Sequence, residues 1–137
     1  MQTKSSIKVA AAIIIQDGRC LITQRPDDSH LAGFWEFPGG KIKKGESAKE
    51  AVVRELAEEL GIQVQAGPLV YQIEYTYPER HVVLFFFQCD ILKGQVQALE
   101  VEQFRWVELD KLGYYRFPAA DEGIVKILMS QSIDNRP

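Results

Sequence analysis

The chain has 137 residues, 46% of them hydrophobic and 26% charged, with no repeat or low-complexity tract, which predicts one globular domain over residues 1–137. A formal net charge of −3 without a basic stripe argues against a nucleic-acid polymer as partner. The apolar run at residues 7–15 is interrupted by Lys8 and is too short to cross a membrane, so we expect a cytoplasmic protein without an anchor or a signal peptide.

The N-terminal third of the chain alternates apolar runs with turn signals, which favours strands. The predicted elements are, in order, a strand at residues 7–16, an Asp17-Gly18 hairpin turn, a strand at 19–24, a polar loop at 26–31 and a short strand at 35–37 that leads into Gly39-Gly40.

A helix is predicted over residues 48–60. Ser47 and Glu50 fit a capping box at its start, and Gly61 stands where a left-handed residue ends a helix. Apolar residues recur between them at helical spacing, namely Val52, Val53, Leu56 and Leu60. The helix therefore has one apolar face.

The rest of the chain is again rich in strand patterns. The predicted elements are a strand at 69–77, a turn at 78–80, a strand at 81–90 in the centre of the sheet, a turn at Gly94, a strand at 104–108 and a second helix at 121–130, with the last seven residues frayed. Cys20 and Cys89 fall within strand patterns and are expected to be buried free thiols rather than a disulfide. Strands interrupted by two helices predict an α+β domain with a mixed sheet packed between helices.

Three glutamates stand at positions i, i+3 and i+4 of the first helix, so their carboxylates should crowd one side: Glu55, Glu58 and Glu59. Glu55 and Glu59 repel one another, at a cost of roughly 0.2–0.5 kcal/mol in an isolated helix. A hard divalent cation reverses that sign because it needs several anionic oxygens, and magnesium shares its site with phosphates. The pattern indicates a metal that meets a polyphosphate, with a solvated acidic face as the alternative.

The helix lies within a longer pattern, Gly40-x5-Glu46-x7-Arg54-Glu55-Leu56-x-Glu58-Glu59-x-Gly61-Ile62. This pattern resembles the Nudix box at every fixed position and at both internal spacings, and the chain is identified as a member of the Nudix hydrolase family. The resemblance implies an α/β/α sandwich that cleaves a nucleoside diphosphate linkage with Mg²⁺, or alternatively Mn²⁺. It also implies that Arg54 orients the carboxylates, and Glu50 or Glu46 is within its reach.

The resemblance covers nearly the whole chain and is closest to the MutT-like nucleoside triphosphate pyrophosphohydrolases. It is carried by Arg25 and by the runs at residues 35–41, 77–81 and 117–121. The implied metal ligands are Gly40, Glu55, Glu58, Glu59 and Glu100. The implied catalytic residues are Arg54, Glu55, Glu59 and Glu100, and either Glu59 or Glu100 would activate the attacking water. Glu102 is the alternative to Glu100, and either residue could instead be an exposed loop acid.

The residues that the resemblance places on the substrate are Arg25, Phe37, Gly39, Arg80 and Asp121. An arginine fork suits phosphate oxygens, so Arg25 and Arg80 should hold the phosphates, with a surface salt bridge as the alternative for each. Phe37 borders the base or belongs to the core. Gly39 and Gly40 should bring backbone close to the metal and the phosphates, where a Cβ would intrude.

Asp121 departs from the best-known oxidised-guanine enzyme of this branch, which has asparagine there. An amide donates and accepts hydrogen bonds, whereas an ionised carboxylate only accepts them. Asp121 could accept from guanine N1 and N2 or from the exocyclic amine of cytosine or adenine, and it could also donate if burial raised its pKa. The alternative is that Asp121 is only the N-cap of the second helix.

The resemblance implies hydrolysis of a nucleoside triphosphate to the monophosphate and pyrophosphate, with 8-oxo-dGTP as the leading substrate. One alternative is the same reaction on cytidine triphosphates, including modified ones. Another is a non-catalytic module of this fold that binds a nucleotide or a protein. The expected partner is a small nucleotide, and the sequence does not distinguish a monomer from a homodimer.

Overall fold

The structure is a computed structural model that describes residues 6–27 and 31–134. The elements in chain order are β1 (Ser6–Ile13), β2 (Ile15–Gln16), β3 (Arg19–Gln24), β4 (Trp35–Glu36), β5 (Gly39–Lys41), α1 (Ala48–Leu60), β6 (Gln63–Thr76), β7 (His81–Lys93), β8 (Gln103–Glu108), 3-10 helices at Leu109–Tyr114 and Ala119–Asp121, and α2 (Glu122–Asp134). No helix within the described ranges is both long enough and apolar enough to span a bilayer.

The strands form two four-stranded sheets. The main sheet has the order β5-β1-β7-β6, in which β1 and β7 run parallel and the other pairs are antiparallel. The second sheet is antiparallel and centres on β3, which pairs with β2, β4 and β8. The mixed sheet and the central position of β7 are as predicted.

The main sheet lies between the two helices. Successive residues of β1 point to opposite faces of this sheet, and the side chains on both faces are small or apolar. Ala10 and Ala12 pack in one buried cluster with Val52, Leu56 and Leu60 of α1. The intervening residues Ala11 and Ile13 pack in the other cluster with Ile124, Val125 and Leu128 of α2. The predicted sandwich of helix, sheet and helix is confirmed.

Helix α1 has the predicted bounds because both of its ends are capped locally. The Ser47 side chain accepts from the backbone N–H of Glu50, and the Glu50 carboxylate accepts from that of Ser47 at 2.8 Å. Gly61 ends the helix in the left-handed region at φ 69°. Asp17 and Gly18 are also left-handed and make the predicted hairpin turn between β2 and β3.

Several other boundaries differ from the prediction. The strand expected at 7–16 is two strands, β1 and β2, and β6 begins at Gln63 rather than at residue 69. The structure accommodates Gly67 and Pro68 as register irregularities between Ala66 and Leu69 within a continuous strand. Helix α2 begins one residue later than predicted and extends to Asp134, so the expected fraying over the last seven residues is wrong for its first part. Part of the loop predicted at 26–31 lies outside the described residues.

Cys20 and Cys89 are buried free thiols, as predicted. Burial raises the pKa of Cys20 to about 12 and that of Cys89 to about 11. Both residues therefore behave as small apolar side chains of the core.

Candidate active site

Strand β5, which contains Gly39 and Gly40, lies close to both β1 and helix α1. β5 pairs with β1 in the register Ala10↔Gly40 and Ala11↔Gly39. A Cβ on Gly40 would lie 2.5 and 2.6 Å from the two carboxylate oxygens of Glu55. A Cβ on Gly39 would overlap the carbonyl oxygen of Ala10. Gly39 thus allows β5 to approach the backbone of β1, and Gly40 leaves room for the Glu55 carboxylate of α1.

Arg54 forms hydrogen bonds with several acidic residues near β5. Its guanidinium donates to both carboxylate oxygens of Glu46, from Nε at 2.7 Å and from Nη2 at 3.0 Å. Nη1 donates to Glu55 at 2.9 Å and to Glu58 at 3.2 Å. These hydrogen bonds raise the pKa of Arg54 further and, with that from the Lys43 N–H, lower the pKa of Glu46 to about 2. Of the two candidate partners, Arg54 contacts Glu46, because the carboxylate of Glu50 is engaged in the capping box.

Glu59 and Glu55 form a pair of adjacent carboxyl groups beside β5. The Gly39 N–H donates to a Glu59 carboxylate oxygen at 3.4 Å. Burial raises the pKa of Glu59 to about 9, and the negative charges of Glu36 and Glu55 add to this shift. Crowded carboxyl groups with this excess of negative charge are a donor set that fits a hard divalent cation.

The structure does not bring all predicted metal ligands together. The Glu58 side chain is 44% exposed and lies on Arg54. Glu100 is exposed, and its backbone N–H, like that of Leu99, donates to the carbonyl of Glu59 at the end of α1. Among the residues that the structure describes, no three acidic, histidine or cysteine side chains are grouped in a way that could hold a metal. The pair of Glu55 and Glu59 is therefore the centre of the candidate metal site.

A cavity of about 450 Å³ opens beside this pair. The predicted residues among its lining are Arg25, Phe37, Gly39, Gly40, Glu59, Arg80 and Asp121. Arg54, Glu55, Glu58 and Glu100 lie outside the lining. The cavity thus joins two predicted metal ligands, Gly40 and Glu59, to all the predicted substrate contacts, in a volume typical of small-molecule sites.

Glu36 and Asp121 are the two acids at the centre of the cavity that α1 does not supply. Arg25 Nη1 donates to both carboxylate oxygens of Glu36, at 3.0 and 3.3 Å. Burial raises the pKa of Glu36, although the charge and the hydrogen bonds of Arg25 act to lower it. Asp121 is only 6% exposed, and burial together with the charge of Glu36 raises its pKa to about 8. No hydrogen bond joins the Asp121 carboxylate to another described residue, so the geometry does not favour the N-cap alternative.

Phe37 combines the two roles that the sequence left open. It is 3% exposed, its ring stacks on that of Phe117 with centroids 5.2 Å apart, and it also lines the cavity. Sequence reasoning missed Glu36, Tyr77 and Lys41, which also line the cavity. The signal for Glu36 was available, because a charged residue between Trp35 and Phe37 interrupts an apolar run.

Comparison with known proteins identifies the family of this chain. A family model described as NUDIX domain matches residues 9–126. The chain is 38% identical over 120 residues to a protein named 8-oxo-dGTP diphosphatase from Escherichia coli K12, which covers 87% of this chain and 93% of that protein. It is 37% identical over 124 residues to one named CTP pyrophosphohydrolase from the same strain, with coverages of 90% and 92%.

A similar solved structure is that of a MutT protein from Methanosarcina mazei Go1. Its TM-score is 0.85 at 29% identity, over 99% of this chain and 100% of that one. Nudix hydrolases generally need a divalent metal, in keeping with the carboxylate pair beside the cavity. The matches to hydrolases indicate a hydrolase rather than a non-catalytic module. The chain belongs to the NUDIX domain family and is a hydrolase.

Proposed function

We propose that this hydrolase converts a nucleoside triphosphate to its monophosphate and pyrophosphate, with 8-oxo-dGTP as the preferred substrate. The observation that carries the proposal is the single cavity lined by Glu59, by Arg25 and Arg80, and by Asp121. Such a cavity offers a metal ligand, two cations for phosphate oxygens and a polar group for a base. The similarity to the relative named 8-oxo-dGTP diphosphatase supports the same substrate.

The proposed cofactor is Mg²⁺, with Mn²⁺ as a substitute, held by Gly40, Glu55 and Glu59, with Glu58 and Glu100 as further oxygen ligands. When bound, it would neutralise charge on the phosphate oxygens and lower the pKa of a bound water. Hard cations of this kind prefer the carboxylate oxygens that these residues supply. The proximity of Glu55 and Glu59 favours this choice of ligands, because a bound cation would offset the repulsion between their ionised carboxylates.

The other roles in the reaction are assigned to individual side chains. Arg80 and Arg25 would bind the phosphates and keep the scissile phosphorus in line with the water, and Arg25 is held at 3.0 Å by Glu36. Glu59, which metal binding would keep ionised, would take the proton of the attacking water as general base, with Glu100 as the second candidate. Arg54 would keep Glu55 oriented through its hydrogen bond of 2.9 Å.

The base preference would follow from the protonation of Asp121. Burial raises its pKa to about 8, so at pH 7 the carboxyl is mostly neutral and has one donor and one acceptor, like the amide of asparagine. Oxidised guanine offers the matching pair, because an N–H flanks O6 on each side. In ordinary guanine, N7 lacks that hydrogen. The neutral Asp121 can therefore distinguish the two bases through the O6 and N7 edge.

Cytidine triphosphates are a second candidate because of the same residue. An ionised Asp121 only accepts, which suits the exocyclic amine of cytosine. The relative named CTP pyrophosphohydrolase is nearly as similar to this chain as the one named 8-oxo-dGTP diphosphatase.

Steady-state kinetics with Mg²⁺ on 8-oxo-dGTP, dGTP, dCTP and a 5-substituted dCTP would test the proposal. We expect release of pyrophosphate and the highest kcat/KM with 8-oxo-dGTP. A higher kcat/KM with the cytidine nucleotides would replace the leading substrate by the second candidate. Absence of pyrophosphate release from all four nucleotides, with Mg²⁺ or Mn²⁺, would refute the proposed reaction.

A further inference from the structure

Two tyrosines from one side of the molecule hold the short segment that carries Asp121. Tyr71 lies on β6, and Tyr77 directly follows this strand. Their spacing of six residues places both side chains on the same face, since side chains alternate along extended backbone. This face meets the 3-10 helix Ala119–Asp121, which contains Asp121, and the first turn of α2.

Each tyrosine contacts one flank of Asp121. The backbone N–H of Ala120 donates to the Tyr77 hydroxyl at 3.2 Å. On the other flank, the Tyr71 ring lies against the Cα of Gly123. A Cβ there would be only 3.0 Å from Tyr71 Cζ. Asp121 is thus fixed between a hydrogen bond at the preceding residue and a close contact two residues later.

The carboxylate of Asp121 has no such support of its own. It is buried and makes no hydrogen bond to another residue in the described part of the chain. Its backbone N–H donates to the carbonyl of Pro118 at 3.0 Å, which fixes only the local turn. The position of this carboxylate in the cavity therefore depends on how the segment is anchored to its surroundings.

Tyr77 also fixes the turn that carries Arg80. The N–H of Tyr77 donates to the carbonyl of Arg80 at 2.8 Å, and the N–H of Arg80 donates to the carbonyl of Tyr77 at 3.3 Å. Tyr77 and Arg80 both line the cavity. One residue therefore links the turn with the proposed phosphate contact to the segment with the proposed base contact.

We propose that Tyr77 is a positioning residue for base recognition: its hydroxyl anchors Ala120 and thereby places the Asp121 carboxylate against the base. This inference rests on the proposed function, in which Asp121 reads the base. The ring of Tyr77 is a separate matter, because it packs against Tyr75 with centroids 4.7 Å apart. The role assigned here belongs to the hydroxyl group.

Tyr77→Phe removes the hydroxyl and keeps the ring. A neutral hydrogen bond contributes about 0.5–1.5 kcal/mol, so we expect the ratio of kcat/KM between 8-oxo-dGTP and dCTP to fall by about 2- to 12-fold. The change should lie in KM rather than in kcat, since the metal site and Arg25 are unaffected. Tyr75→Phe is the matched control: it removes a hydroxyl from the neighbouring ring outside the cavity lining and should leave the ratio unchanged.

A merely structural role would lower the melting temperature and reduce turnover of both nucleotides alike, leaving their ratio unchanged. A double-mutant cycle with Asp121→Ala tests whether Tyr77 acts through Asp121. We expect Tyr77→Phe to have no effect on the ratio in the Asp121→Ala background. An unchanged ratio in Tyr77→Phe, or an equal change in both backgrounds, would overturn the inference while the wild type still releases pyrophosphate. If the wild type released none, the proposed function itself would fail.

Discussion

Replacing Glu59 by glutamine should stabilise the metal-free protein and abolish most of its activity. The pKa of Glu59 is raised from the ordinary 4.5 to about 9, so the folded protein keeps this carboxyl protonated while the unfolded chain ionises it. At 1.36 kcal/mol per pKa unit, holding the proton at pH 7 costs about 3 kcal/mol, which the neutral amide avoids. The amide can also keep the hydrogen bond from the Gly39 N–H. We expect a melting temperature about 10 °C higher than that of the wild type.

The stability gained in Glu59→Gln should depend on pH, and the raised pKa of Glu59 determines the direction of that dependence. A group with a raised pKa contributes stability that is complete below the unfolded-state value and is lost as the pH rises through the folded-state value. The wild type should therefore lose stability between pH 4.5 and about 9, and the gap to Glu59→Gln should open over that window. Thermal unfolding in EDTA at pH 5, 7 and 8 measures it.

The matched control for this experiment is Glu58→Gln. It removes a charge from the preceding residue, whose side chain is 44% exposed and paired with Arg54, and it should not reproduce the gain. Turnover with Mg²⁺ should fall at least about 100-fold in Glu59→Gln, as expected for loss of a general base that also binds metal. A melting temperature in EDTA at pH 8 equal to or below that of the wild type would refute the electrostatic reasoning.

Three further substitutions test other parts of the site. Asp121→Asn should remove the pH dependence of kcat/KM for 8-oxo-dGTP that this carboxyl causes. With a pKa of about 8, the wild-type carboxyl passes from about nine-tenths neutral at pH 7 to about one-tenth neutral at pH 9. The kcat/KM for 8-oxo-dGTP should therefore fall about nine-fold over this range in the wild type and not in Asp121→Asn. Gly40→Ala should displace the flexible Glu55 carboxylate and weaken Mg²⁺ binding about 10-fold or more in calorimetry, with the fold retained in circular dichroism. Arg54→Lys should lose the two-oxygen contact with Glu46 and raise the Mg²⁺ concentration for half-maximal turnover about 10-fold, and an unchanged value would argue against an orienting role.

Local signals predicted the parts of the fold that depend on local contacts. The caps at Ser47 and Gly61 determine both ends of α1, and its apolar stripe determines the buried face, so the bounds of this helix followed from the sequence. The strand predicted to begin at residue 69 begins at Gln63, because pairing with β7 continues across the irregularity between Ala66 and Leu69. That outcome depends on tertiary contacts, which a single-strand pattern does not contain.

The same distinction applies to the site. The spacing of the box placed Arg54 beside acidic residues, and its partner could have been chosen in advance, because the capping box already engages Glu50. Glu36 could not be assigned from spacing. Its position against Arg25 follows from the register of β3 with β4, where Thr23 faces Glu36. Long-range strand register is the information that a motif lacks.

The burial of both cysteine thiols bears on how the protein withstands an oxidising environment. Peroxides attack the thiolate form of cysteine, and a pKa of about 12 for Cys20 and about 11 for Cys89 leaves almost no thiolate at neutral pH. The proposed activity on oxidised nucleotides would be needed when peroxide is abundant. The core of this molecule therefore offers peroxide no reactive thiol, and oxidation of a cysteine is not expected to inactivate the enzyme.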